Sequence, residues 1–95
     1  MAKSIMQTEK ECYITGSTDN LHLHHILFGT GLRKLSDKYG LTVWLRADWH
    51  NMADYGVHFN KELDLKLKQK AQKKAMKHYG WSVEDFIDIF GKNYL

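Results

Sequence analysis

The period of the hydrophobic positions changes along the chain. Leu21 to Phe28 (LHLHHILF) roughly alternates apolar and polar residues, and Gly29, Thr30 and Gly31 stop the run, which predicts a strand. Residues 32–39 (LRKLSDKY) read as a short helix or turn ended by Gly40. Leu41 to Leu45 (LTVWL) is β-branched and aromatic, a second short strand. Asp48 to Asp54 suits a short helix with Asp48 as its N-cap, broken by Gly56. The period then becomes helical. Leu63, Leu67, Ala71, Ala75 and Tyr79 recur at i+4, widened by Leu65 and Met76, and predict a helix over 61–79 capped by Asn60 and ended by Gly80. Ser82 opens a last helix, with Asp85 in capping-box position and Trp81 and Phe86 spaced as a hydrophobic staple. Val83, Phe86, Ile87 and Phe90 form its apolar face and Gly91 its stop. The expected class is therefore α+β, with a two-stranded hairpin, a long helix and a short C-terminal helix. Residues 1–10 are polar and read as flexible.

Composition sharpens this picture in one respect. At 95 residues the chain is one domain with a small core, of the size that often needs a disulfide, a metal or a partner subunit. Its single cysteine, Cys12, excludes an internal disulfide. It also excludes a zinc site built from four cysteines, or from two cysteines and two histidines. The N-terminus has no apolar run of signal-peptide length, and no stretch approaches a membrane span. A cytoplasmic protein that does not enter a membrane is expected. An oligomer would be one way to stabilise so small a unit.

The net charge of +3 conceals an asymmetry. Residues 1–60 are balanced, whereas residues 61–77 carry seven lysines against Glu62 and Asp64. The basic charge thus lies on the long helix, where Lys66, Lys70, Lys73, Lys74 and Lys77 suit the phosphate backbone of DNA with little sequence preference. A solvated lysine face is the plain alternative.

Six histidines are many for this length. On a strand, His22 and His24 share one face and His25 takes the other. His50 and His58 follow the second strand. This set has the donor types for one divalent cation, Mg²⁺, Mn²⁺ or Zn²⁺, with water completing the sphere. His78, near the end of the long helix, suits a partner of the helix dipole better than a ligand.

The ordered set Cys12-x-x-Thr15, Leu-His-Leu-His-His-Ile26, Trp-His-Asn51 and Gly-Val-His-Phe-Asn60 resembles the HNH (ββα-metal) nucleases, most of all the small phage proteins of the Ref type, which are RecA-dependent. The resemblance covers residues 8 to 95. It implies a ββα-metal core over 12–58 with a helical extension over 60–95, and a phage or prophage origin in a bacterial host. His24 and His50 match metal-ligand positions, His25 the general base, and His58 a further ligand or a phosphate contact. Asn51, with Asn60 behind it, is the candidate for the Asn that orients the base. In this family a structural zinc normally closes the hairpin. Its four ligand positions read Cys12, Thr15, Arg46 and Trp49 here, and three of these are not zinc ligands. No structural zinc is expected; Tyr13, Trp44 and Trp49 would fill the space instead.

Three readings remain open on the sequence. The first is a divalent-metal-dependent DNA endonuclease with a histidine base, acting in recombination and working with a RecA-type recombinase filament. The second is a catalytically inactive module of the same descent that binds DNA or a protein. The third is a closed zinc site made only of histidines, from His22, His24, His50 and His58.

Overall fold

A computed structural model describes residues 3–52 and 56–95, with the side chains of 51 and 52 outside the description. Strand β1 (Leu21–His25) pairs antiparallel with β2 (Thr42–Arg46), and helix α1 (Leu32–Tyr39) lies in the connection between them. A π-helical turn over Asp48–Met52 follows β2. Helices α2 (Lys61–Tyr79) and α3 (Val83–Phe90) complete an α+β fold.

Each expected element is present; helices α1, α2 and α3 keep their expected ends, and the two strands shift. The first strand stops at His25 instead of continuing to residue 28. Ile26 and Leu27 are buried where the chain turns towards α1, and the Ile26 N–H donates to the Leu41 carbonyl at 3.0 Å. The apolar run is therefore a strand followed by a buried turn. The predicted helix over 48–54 is π-helical where described, and residues 53–54 lie outside the described residues. A π turn inserts an extra residue into the helical ladder, a feature common at functional sites.

The hairpin register pairs His24 with Val43 and His22 with Leu45. That face turns inward, and Val43, Leu45, Ile26, Leu27 and Leu41 form the core with Leu67, Ala71, Ala75, Phe86 and Phe90. On α2, Leu65 and Tyr79 are exposed rather than part of the buried stripe, and Gln72 is fully buried instead. Gln72 is satisfied by the C-terminal tail: its amide donates to Asn93 Oδ1 at 2.8 Å, and its carbonyl accepts from the Tyr94 N–H at 2.7 Å. A buried polar group of this kind fixes where the tail docks. Tyr79 stacks on Trp81 (4.7 Å between centroids), and its hydroxyl donates to the Tyr39 carbonyl at 2.7 Å.

Capping follows the sequence closely. Asn60 Oδ1 accepts from the Leu63 N–H, and Ser82 and Asp85 form the reciprocal capping box. On α3, Phe86 and Phe90 are buried while Ile87 is exposed. The polar N-terminal segment makes contacts that its polarity does not announce. The Ile5 N–H donates to the Gly40 carbonyl, and the Gln7 side-chain oxygen accepts from the Trp44 N–H. Gly40 has φ 74°, and a Cβ there would overlap the Lys3 carbonyl, so glycine is required twice over.

The joint between β1 and α1 is made by one hydroxyl. Ser36 Oγ donates to the Leu27 carbonyl at 2.6 Å and accepts from the Leu27 N–H at 3.0 Å, fully buried. Ser36→Ala is expected to leave both backbone groups of Leu27 unpaired. At about 1–3 kcal/mol per orphaned group, urea unfolding should show a loss of at least about 2 kcal/mol. An unchanged unfolding midpoint would show that the clamp contributes nothing.

Candidate metal centre

Three imidazoles converge beside the inward face of the hairpin. His24 is supplied by β1, His50 by the π-helical turn, and His58 by the loop before α2. Two backbone hydrogen bonds set the last pair side by side: the Val57 N–H donates to the Trp49 carbonyl at 2.7 Å and the His58 N–H to the His50 carbonyl at 3.2 Å. One nitrogen from each ring falls within a set whose members lie no more than 4.8 Å apart. His50 Nε2 and His58 Nε2 are 3.1 Å apart. Two imidazoles on one cation, each at about 2.0–2.1 Å, place their nitrogens about 2.8–3.4 Å apart, so this spacing fits a shared ion.

His24 is the informative member. Its ring is buried, and Nε2 is inaccessible to water with no hydrogen-bond partner among the described residues. A buried imidazole nitrogen without a partner is costly unless something else satisfies it. A cation between the three rings would do so. The pocket they border holds about 130 Å³, enough for an ion and about four waters, and is also lined by Leu23, His25, Phe28 and Arg33.

His22 stands outside this triad but touches it. Its Nδ1 lies 3.0 Å from His50 Nδ1. If His50 binds through Nε2, its Nδ1 carries the proton and donates it to His22, which fixes the tautomer of the ligand. His22 thus acts on His50 rather than as a fourth arm of the set.

Burial pushes His24 down to about pKa 3, reinforced by the neighbouring His50 and His58. Burial likewise lowers His50 to about 4, with His58 and His22 adding to the effect. Both rings are therefore neutral at physiological pH, the state that binds metal.

His25 takes the opposite face of β1, as alternation requires, yet it borders the same pocket because the strand ends there. Its Nε2 lies 3.5 Å from Asp37 Oδ1 on α1. Asn51 lies in the π-helical turn, but its side chain is outside the described residues. Asn60 Oδ1 caps α2, and among the described residues Asn60 makes no hydrogen bond to a histidine.

Of the degenerate zinc positions, Cys12 is buried, and its Sγ accepts from the Thr15 N–H at 3.5 Å. Burial raises this thiol, but N–H groups of Arg46, Thr15 and Ile14 and the Thr15 side chain outweigh it, leaving the thiol below its ordinary value. Backbone amides thus still gather around one sulfur. Arg46 turns to Asp48 at 3.4 Å. Tyr13 and Trp49 pack against the core, while Trp44 lies on the other hairpin face under the Lys10 ammonium.

The lysines divide by face. Lys68 comes to the site, paired with Asp64 at 2.7 Å and seated 4.6 Å over the Phe28 ring, which itself lies 5.0 Å from His58. At about 100° per residue, Lys66, Lys70, Lys73, Lys74 and Lys77 stand about 120–180° around α2 from Lys68. Four of them line a groove with Met6 and Tyr13 instead. None of the five has an ion-pair partner among the described residues. Sequence reading missed Lys68, Arg33 and Asp37, because only the folded connection brings α1 and this face of α2 to the histidines. His78 meets Tyr79 edge to face near the C-terminal end of α2.

Compared with protein-family models, curated proteins and solved structures, the chain matches none. Among the described residues no helix is long and apolar enough to cross a membrane.

The low histidine pKa values have a consequence for stability. The unfolded chain protonates His24 and His50 near 6.5, and the folded chain resists this down to about 3 and 4. The unfolded state therefore binds more protons throughout that window. Metal-free stability is full above about pH 6.5 and falls as pH is lowered, with His24 contributing a slope of up to about 1.4 kcal/mol per pH unit. Urea unfolding in EDTA at a series of pH values checks this. His24→Leu should flatten the slope, and an identical slope in that variant would contradict the assignment.

Proposed function

We propose that the hairpin, the π-helical turn and the three histidines form a ββα-metal unit of the HNH type, and that the protein is a divalent-metal-dependent DNA endonuclease. The observation that carries this reading is the buried His24 ring, whose Nε2 has no hydrogen-bond partner among the described residues and whose centroid lies 5.2 Å from those of His50 and His58, beside a pocket-lining His25. The resemblance in the ordered histidine motifs supports it independently.

His24, His50 and His58 would hold the ion, with His22 orienting His50. Bound there, a divalent cation would supply polarisation of the scissile phosphate and charge stabilisation for the departing 3′ oxygen. Histidine and water ligands suit Mg²⁺, Mn²⁺ or Zn²⁺. His25 takes a proton from a water molecule, whose oxygen attacks phosphorus in line with the bond to the 3′ oxygen. Arg33, exposed at the rim of the pocket, is placed to contact a phosphate oxygen. Cys12 with Thr15, Arg46 and Trp49 supplies one thiol and no second zinc ligand, so the fold is proposed to stand without a structural zinc.

Lys66, Lys70, Lys73, Lys74 and Lys77 are proposed to contact the DNA backbone away from the cleaved bond, since they occupy the face of α2 turned from the pocket. This division also suits the second reading, a module that holds DNA, or sits beside a RecA-type filament, without cutting. A phage or prophage protein of the bacterial cytoplasm is the proposed setting.

Nicking of supercoiled DNA with Mg²⁺ or Mn²⁺ tests the reading. His25→Ala should lower the rate by about 100-fold or more. It should leave the zinc-induced rise in Tm intact, while His24→Ala abolishes that rise. Wild-type nicking by His25→Ala would remove the base assignment. Absence of any metal-induced shift in the wild type would remove the metal site. For the lysine face, the triple variant Lys73→Gln, Lys74→Gln, Lys77→Gln should reduce the slope of log affinity against log salt by about three. An unchanged slope would take these lysines out of the DNA contact.

A further inference from the structure

Helix α1 brings a carboxylate that the three-histidine set does not use beside His25, a residue that lines the pocket. Asp37 Oδ1 is inaccessible to water and makes no hydrogen bond among the described residues, yet it stands 3.5 Å from His25 Nε2. A carboxylate oxygen stripped of both water and donors is costly, and an N–H on His25 Nε2 is the group placed to relieve it. His25 Nδ1 has no hydrogen-bond partner among the described residues, and the ring borders the pocket of His24, His50 and His58.

The placement of Asp37 is built in. Its neighbour Ser36 holds both backbone groups of Leu27, two residues beyond His25, so one clamp fixes α1 against the end of β1. Arg33 lies one turn earlier on the same face and also borders the pocket, but it forms no ion pair with Asp37. The carboxylate is thereby left to the histidine.

We infer that Asp37 is a positioning residue for His25. It draws the proton of the neutral ring to Nε2 and fixes the ring plane, which leaves the Nδ1 lone pair as the atom that accepts a proton from water. Once that proton is taken, the same carboxylate faces the imidazolium and stabilises it. The inference rests on the reading of His25 as the base, but its structural half does not depend on catalysis.

The test reads the tautomer directly. In ¹⁵N-labelled protein at neutral pH, the ring nitrogens of His25 should show the proton on Nε2. In Asp37→Ala, or in Asp37→Asn should the alanine variant not fold, that preference should weaken. The backbone amide spectrum and the zinc-induced rise in Tm should stay those of the wild type. Asp37→Glu should restore the preference. On supercoiled DNA, Asp37→Ala should lower kcat about 10–100-fold with KM within about two-fold, and Asp37→Glu should recover most of the loss. A wild-type His25 protonated on Nδ1, or ring shifts unaltered in Asp37→Ala, overturns the inference whether or not the protein cuts DNA. Wild-type nicking by His25→Ala would remove the base assignment instead, and the tautomer result would still stand on its own.

Discussion

The arrangement depends on one buried imidazole. His24 sits on the inward face of a two-stranded hairpin, opposite Val43, where an apolar side chain would be expected. Its Nε2 is inaccessible to water and has no hydrogen-bond partner among the described residues. A small domain has little surplus stability with which to tolerate such a group. The cost is accepted where His50 and His58 arrive, which makes the three rings a single unit rather than three separate polar residues.

Holding those rings together needs a rigid frame, and 95 residues with one cysteine must supply it without disulfides. The frame consists of buried polar clamps that each tie distant segments. Ser36 locks α1 to the turn after β1, Gln72 locks the C-terminal tail to α2, and the paired backbone bonds from 57 and 58 to 49 and 50 set the last two histidines side by side. Around them Tyr39, Tyr79 and Trp81 seal α1 against the helices. Each clamp is local in effect but joins residues that sequence periodicity treats as unrelated.

This explains what the sequence could reveal. Helix α2 and the caps at Asn60, Ser82 and Gly91 were readable, because capping and i+4 periodicity are short-range signals. The candidate set His24, His50 and His58, which the structure brings together, came from the family resemblance of the ordered motifs, and alternation along β1 separated His25 from His22 and His24. The end of β1 was not readable, because Ile26 and Leu27 are as apolar in a buried turn as in a strand. Gln72 was not legible as a core residue, since nothing near it in sequence announces the tail that satisfies it. Lys68 differed from its five neighbours only by its angle around α2 relative to Phe28. Asp37 acquires a role only through a loop closure across α1.

The central claim is that His24, His50 and His58 bind one divalent cation with open positions for water. X-ray absorption on protein titrated with Zn²⁺ tests it most directly. The account predicts one ion per chain, a first shell of three imidazole nitrogens completed by oxygen at about 2.0–2.1 Å, and no sulfur. A shell containing sulfur from Cys12, a closed set of four imidazoles, or no stoichiometric binding would contradict it.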